Sequence, residues 1–117
     1  MEIEEDESRS VRFAEALGKG VGNSFKKLAS EILKDGALSA KDKALIGLAC
    51  SVAIRCEYCV KKHQHEAMMT GATKEEMLEA AAVAGLVRMG SGFNTAAILL
   101  NDLDKERNYR KEVDSDV

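Results

Sequence analysis

The chain has no proline and no tryptophan, and aromatic residues make up only 4% of it, as three phenylalanines and two tyrosines. Without proline the strongest helix breaker is missing, so punctuation falls to the nine glycines. With so few aromatics, a core has to be assembled from Ala, Leu, Ile, Val and Met. Cysteine is scarce as well. Three residues, an odd count, exclude the closed disulfide framework of a secreted mini-protein. No single sign of charge dominates either: 17 Lys and Arg against 20 Asp and Glu leave a net charge of −3. A mildly acidic chain is a poor match for phosphate backbones, so a nucleic-acid partner is not expected. The longest nearly apolar run, residues 44–54, falls short of the roughly 20 residues a membrane-crossing helix needs. The first seven residues hold five acids, the opposite of the basic start of a secretory leader. The expectation is a soluble, cytoplasmic protein with no membrane partner.

What is present has the look of a helical globule. The 117 residues are 45% apolar, enough for one domain of ordinary size. Residues 1–8 read as a flexible acidic tail, 9–106 as a single all-helical domain, and 107–117 as a charged C-terminal tail. Val11, Ala14 and Leu17 mark a short amphipathic helix, which the glycines of GKGVGN should end. Phe25, Leu28, Ala29, Ile32 and Leu33 then form one apolar stripe at a period of 3.6. Asn23 or Ser24 is placed to cap that helix, and Gly36 to end it in a left-handed conformation. Ser39, with Asp42 three residues on, opens the next helix. From Ala44 to Ile54 that helix is apolar on nearly every face, which predicts burial on all sides at the centre of the domain, with Cys50 as a small buried hydrophobe.

Residues 55–70 carry CEYCVKKHQHEAMMT and stop at Gly71. Thr73 and Glu76 form a capping box for a further helix, whose run of Ala80, Ala81, Ala82, Ala84 and Gly85 would let another helix come close. Met89–Gly92 (MGSG) reads as a break or kink, followed by a last helix with Phe93, Ala96, Ala97, Leu100 and Leu103 on one stripe and fraying from Asp104. No segment sustains an alternation of period two, so the expected class is all-α.

Chemistry concentrates at Cys56, Cys59 and His63. Three residues along a helix advance about 300°, so the two cysteines lie within roughly 60° of each other. Their Cβ atoms would be about 5–6 Å apart, within reach of a disulfide. His63 sits one turn beyond Cys59 on the same stripe, where an imidazole takes a thiol proton or pairs with the thiolate. A helix N-terminus stabilises a thiolate in its first turn, favouring Cys56 as the more acidic thiol, whereas the histidine favours Cys59. Three readings stay open: an idle pair, a metal site with His63 that lacks a fourth ligand, or redox chemistry. A thioredoxin fold is excluded, since its motif follows a β-strand and this one follows an apolar helix. GKGVGN lacks the strand and spacing of a dinucleotide fingerprint, so no cofactor is expected.

From about Phe25 to Leu103, the Leu-Ser-x-Lys opening (Leu38 to Lys41), the apolar helix and CxxCxxxH before a glycine-ended turn resemble the alkylhydroperoxidase-D-like, or carboxymuconolactone decarboxylase-like, family. The resemblance implies an all-helical subunit in a homo-oligomer, a trimer or hexamer. It implies Cys56 and Cys59 as the redox pair, with Cys59 attacking and Cys56 resolving, and His63 in the proton relay. The family's relay glutamate falls at position 44, which is alanine here, and a histidine found before the second cysteine in peroxidase members is Tyr58. Glu57 and Glu66 are the residues that could stand in, and both read, like His65, as solvent-facing. A weakened relay should harm peroxide reduction more than thiol–disulfide exchange. The expected function is therefore a thiol–disulfide oxidoreductase, or disulfide reductase, served by an external dithiol such as a thioredoxin-like protein or a lipoyl-type group. The alternatives are an alkyl hydroperoxidase with antioxidant activity, a carboxymuconolactone decarboxylase, and a non-catalytic redox sensor.

Overall fold

A computed structural model describes residues 8–115, and those residues are helical without a strand. Of the flexible acidic tail expected over residues 1–8, residues 1–7 lie outside the described residues, and Ser8 belongs instead to the start of the first helix. Helix α1 (Arg9–Ala16) starts on Ser8, whose hydroxyl accepts the Val11 N–H at 3.2 Å. It stops at Gly18, which has φ +139°. Helix α2 (Lys19–Leu33) begins immediately afterwards and runs through Gly20, Gly22 and Asn23. The expected loop and the cap at Asn23 or Ser24 are therefore corrected to a break at Gly18 alone. Gly22 shows why the glycine is there: a Cβ on it would meet the Glu15 side chain at 2.7 Å, so glycine lets α1 and α2 approach.

The C-terminus of α2 also differs from the expectation. Gly36 does not take the left-handed conformation; instead the Lys43 ammonium donates to the carbonyls of Ile32 (2.7 Å) and Lys34 (2.6 Å). A cation on the last carbonyls of a helix does the work expected of the glycine. Helix α3 (Ala40–Ala53) starts as expected, with the Ser39 hydroxyl accepting the Asp42 N–H at 3.0 Å. Its burial is narrower than expected. Ala44, Leu48 and Ser51 form one buried stripe, whereas Ile46 and Cys50 are exposed. Helix α3 packs chiefly on α4 (Glu57–Met69) and lightly on α2, which leaves its opposite face bare. Cys50 is thus a surface thiol.

Helix α4 ends at Gly71 (φ +90°), whose amide reaches the Met68 carbonyl while that of Ala72 reaches Ala67. This pairing closes a helix with a left-handed residue. Helix α5 (Lys74–Ala96) opens on the expected capping box: Thr73 accepts the Glu76 N–H at 3.1 Å, and Glu76 accepts the Thr73 N–H at 2.8 Å. It passes straight through Met89–Gly92, where a break was expected; with no proline, the glycines cost helix stability without interrupting the hydrogen-bond ladder. Helix α6 (Ile98–Ser115) continues past Asp104, where fraying was expected, aided by an Arg110–Glu106 pair one turn apart.

Packing divides the described residues into two units, the first ending at Ala84 and the second beginning at Gly85. In the first, α1 lies on α2 and α3 on α4, and the buried apolar side chains are Leu48 and four alanines, Ala14, Ala44, Ala67 and Ala84. In the second, Leu86, Val87, Phe93, Leu100 and Leu103 are all exposed. On α2, Leu28, Ile32 and Leu33 are exposed too, while Phe25 and Ala29 of the same stripe are half-buried. The segment from Lys74 to Val113 is long and apolar enough, by length and composition, to cross a bilayer.

Candidate active site

The site is built on the corner between α3 and α4. Helix α3 ends with Arg55 in the left-handed region (φ +59°). The Arg55 amide donates to Val52 O at 3.0 Å and the Cys56 amide to Ser51 O at 3.1 Å. This is the same closure that Gly71 gives α4, here made by an arginine at a cost of about 1–3 kcal/mol. It sends the chain directly into the next helix, so Cys56 closes α3 and caps α4 at once. Its Sγ accepts the Cys59 N–H at 3.2 Å, in the position usually held by a serine or aspartate oxygen.

Cys56 and Cys59 form a disulfide, with Cα atoms 5.2 Å apart. Both are half-buried. In the dithiol form, the free amides and positive dipole end of α4 would stabilise a thiolate at Cys56. Between them, Tyr58 turns towards α1: its hydroxyl accepts the Arg9 N–H at 3.1 Å, and the Arg9 guanidinium lies over its ring.

His63 is half-buried one turn beyond Cys59. Its ring lies against α3 at Gly47, where a Cβ would come within 2.9 Å of Nδ1. Ser51, buried beneath, is satisfied by donating to the Gly47 carbonyl at 2.7 Å. Nδ1 lies 3.0 Å from Glu66 Oε2. That contact holds the Glu66 carboxyl below its ordinary range; burial opposes it and the nearby Lys62 ammonium, 3.6 Å away, adds to it. The expectation that Glu66 faces solvent is thereby corrected. Glu57 does remain exposed, paired with Lys61 at 3.4 Å, and His65 is exposed.

Cys59 and His63 thus lie one turn apart on α4, and Cys56, expected on the same helix, is the extended residue that caps it. Sequence reasoning missed Gly47, although a glycine inside an apolar helix signals a close approach. It also underrated Glu66, whose spacing of three residues from His63 was visible. Among the described residues, no three His, Cys, Asp or Glu side chains converge as metal donors.

The carboxymuconolactone decarboxylase family model matches residues 19–102. A curated relative, uncharacterized protein 4 in the cox locus of Paracoccus denitrificans, is 32% identical over 90 residues, 74% of this chain and 81% of that protein. A crystal structure from Methanobacterium thermoautotrophicum is 45% identical, with a TM-score of 0.68 over 76% of this chain and 96% of the other. A Thermotoga maritima crystal structure, 29% identical with a TM-score of 0.55, covers 78% of this chain and 97% of its own. It is described as a carboxymuconolactone decarboxylase family protein with a suggested part in the antioxidative response.

Proposed function

This chain belongs to the carboxymuconolactone decarboxylase family, and from that premise we propose that it is a thiol–disulfide oxidoreductase that cycles Cys56 and Cys59. The observation that carries this is the disulfide at the N-terminus of α4, with Cys56 Sγ on the Cys59 amide. A cysteine pair in that position forms a bond readily and also leaves readily, because the helix end stabilises the departing thiolate.

The reduced protein attacks a substrate disulfide through the Cys59 thiolate, forming a mixed disulfide and releasing one substrate thiolate, which takes up a proton. The Cys56 thiolate then attacks Cys59 Sγ, closing the protein disulfide and releasing the second thiol. Two electrons pass to the substrate, and an external dithiol, thioredoxin-like or lipoyl-type, returns them. His63 holds the proton that the attacking thiol gives up.

The Glu66–His63 pair favours a second reading, hydroperoxide reduction, because a relay without the glutamate at position 44 still has a carboxylate. In that cycle the Cys59 thiolate would take the terminal peroxide oxygen to become a sulfenic acid as the O–O bond breaks, the alkyl-bound oxygen would leave and be protonated to an alcohol, and Cys56 would displace water to close the same disulfide. Both cycles end in a disulfide that an external dithiol must reduce, so exchange is the chemistry they share. The suggested antioxidative role of the Thermotoga maritima relative fits either. The experiment is to follow loss of the two motif thiols from reduced protein. Rapid loss to a small disulfide with peroxide loss no faster than free cysteine supports the oxidoreductase; rapid loss to an organic hydroperoxide supports the peroxidase. Loss to neither overturns both.

The exposed apolar faces support a homo-oligomer. On α5, Arg88 and the glycines and alanines around it suit close helix packing better than contact with lipid. The reducing cytoplasm is the compartment in which such a cycle would run.

A further inference from the structure

We propose that Glu66 is the positioning residue of this site: it fixes His63 in the tautomer protonated at Nδ1, leaving Nε2 as the base for the motif thiols. The inference rests on the redox reading and adds to it a group outside the CxxCxxxH motif.

Three observations carry it. His63 Nδ1 lies 3.0 Å from Glu66 Oε2, a hydrogen-bond distance, and an ionised carboxylate only accepts. Nδ1 must therefore be the donor. A neutral imidazole has one N–H, so Nε2 then carries the lone pair. Secondly, the carboxyl is held in its ionised form, below its ordinary range, by this bond and by Lys62. Thirdly, the ring is seated: Gly47 offers only hydrogen where a Cβ would stand 2.9 Å from Nδ1. One face of the imidazole is fixed by backbone and one nitrogen by charge. Position 44, one turn before Gly47, is a buried alanine.

The proton balance is closed. A motif thiol gives its proton to Nε2, and the resulting imidazolium keeps its Nδ1–H on Glu66, now as a charge-assisted bond. The thiolate attacks, and the departing thiolate takes the proton back from Nε2. Glu66 neither gains nor loses a proton; it acts through His63.

The test is nitrogen-detected NMR of the histidine rings in reduced protein, combined with the rate at which iodoacetamide alkylates the motif thiols. The chain has two histidines, and exposed His65 serves as the internal reference. The expected result is an Nδ1–H tautomer for His63 in the native chain. Glu66→Gln should keep that tautomer through its amide oxygen. Glu66→Ala should return His63 to the Nε2–H form that imidazole prefers in water, and should slow alkylation at pH 7 by about tenfold, the effect of one unit in thiol pKa. His65 should not change. An Nε2–H tautomer in the native chain, or an unaltered tautomer or alkylation rate in Glu66→Ala, overturns the role. The native spectrum alone decides it if the variants fail to fold. An Nε2–H His63 in a protein whose thiols still cycle removes Glu66's role and leaves the redox reading intact. Serine variants of both cysteines that turn over normally would overturn the redox reading, and this role with it.

Discussion

The guanidinium of Arg9 lies 4.1 Å from the centre of the Tyr58 ring, while the amide of the same arginine donates to the Tyr58 hydroxyl at 3.1 Å. One residue at the start of α1 thereby grips, twice, the side chain that separates the two cysteines. These two contacts tie the first turn of α1 to the redox helix. Tyr58→Phe keeps the ring under the cation and removes the acceptor. It should cost about 0.5–1.5 kcal/mol, the net worth of one hydrogen bond, as read from chemical denaturation. Thiol exchange should change little, since the hydroxyl faces α1.

Gly47 and Gly20 are both helical glycines, and they should respond to alanine with opposite signs. At Gly47 the new methyl would stand 2.9 Å from His63 Nδ1, so the ring must move. Gly47→Ala should destabilise by about 1–3 kcal/mol, the usual cost of overpacking, and should slow thiol reactivity. At Gly20 nothing lies within 4 Å, and Gly20→Ala should stabilise α2 by about 0.5–1 kcal/mol. Thermal melts of the two variants side by side would check this; a loss at Gly20 or a gain at Gly47 would contradict the packing described.

The Glu66 contact also has a consequence for acid stability. Its carboxyl titrates lower in the folded protein than in the unfolded chain. The unfolded state therefore binds the proton more readily, and folding stability rises with pH across this window. The contribution is complete above the ordinary carboxylate range, near 4.5, and disappears as pH falls through the lowered folded value. Glu66→Gln should flatten that part of the stability–pH profile while leaving the region above about pH 6, beyond the ordinary glutamate range, nearly parallel to the native one.

The three cysteines should separate cleanly in a thiol titration. With Cys56 and Cys59 joined and Cys50 exposed, the oxidised protein should release one equivalent of thiol per chain, and the reduced protein three. Cys59→Ser should abolish turnover, Cys56→Ser should trap a mixed disulfide with substrate, and Cys50→Ser should retain nearly full activity. An oxidised protein with no reactive thiol would show that Cys50 is covered in solution.

Such cover is the fifth expectation. Phe93 is 71% exposed and Leu100 64%, and large apolar side chains left exposed together mark surfaces that bind a partner. Sedimentation should show an oligomer, and Leu100→Glu should shift it towards smaller species. A native monomer at micromolar concentration would leave these faces to another partner.

The order of residues alone dictates much of this molecule. Missing proline and missing alternation leave only helices. Ser39 and the Thr73–Glu76 box start helices through contacts that span three residues, and Gly71 ends one for a conformational reason written in its missing side chain. The spacing of Cys59 and His63 places them one turn apart on a helix before any fold is known, with Cys56 three residues ahead at its start. All these effects are local, and a local pattern carries its own geometry.

What tertiary structure alone decides is which face another helix covers. Periodicity made α3 look buried all round, yet α4 takes one stripe of it and Cys50 is left outside. Glu66 could have faced water, as Glu57 does. It turns to His63 because the ring is seated against Gly47, on a different helix, with Nδ1 towards the carboxylate. A side chain's spacing is set by its own helix, but its partner is set by the neighbour that fixes where the ring can lie.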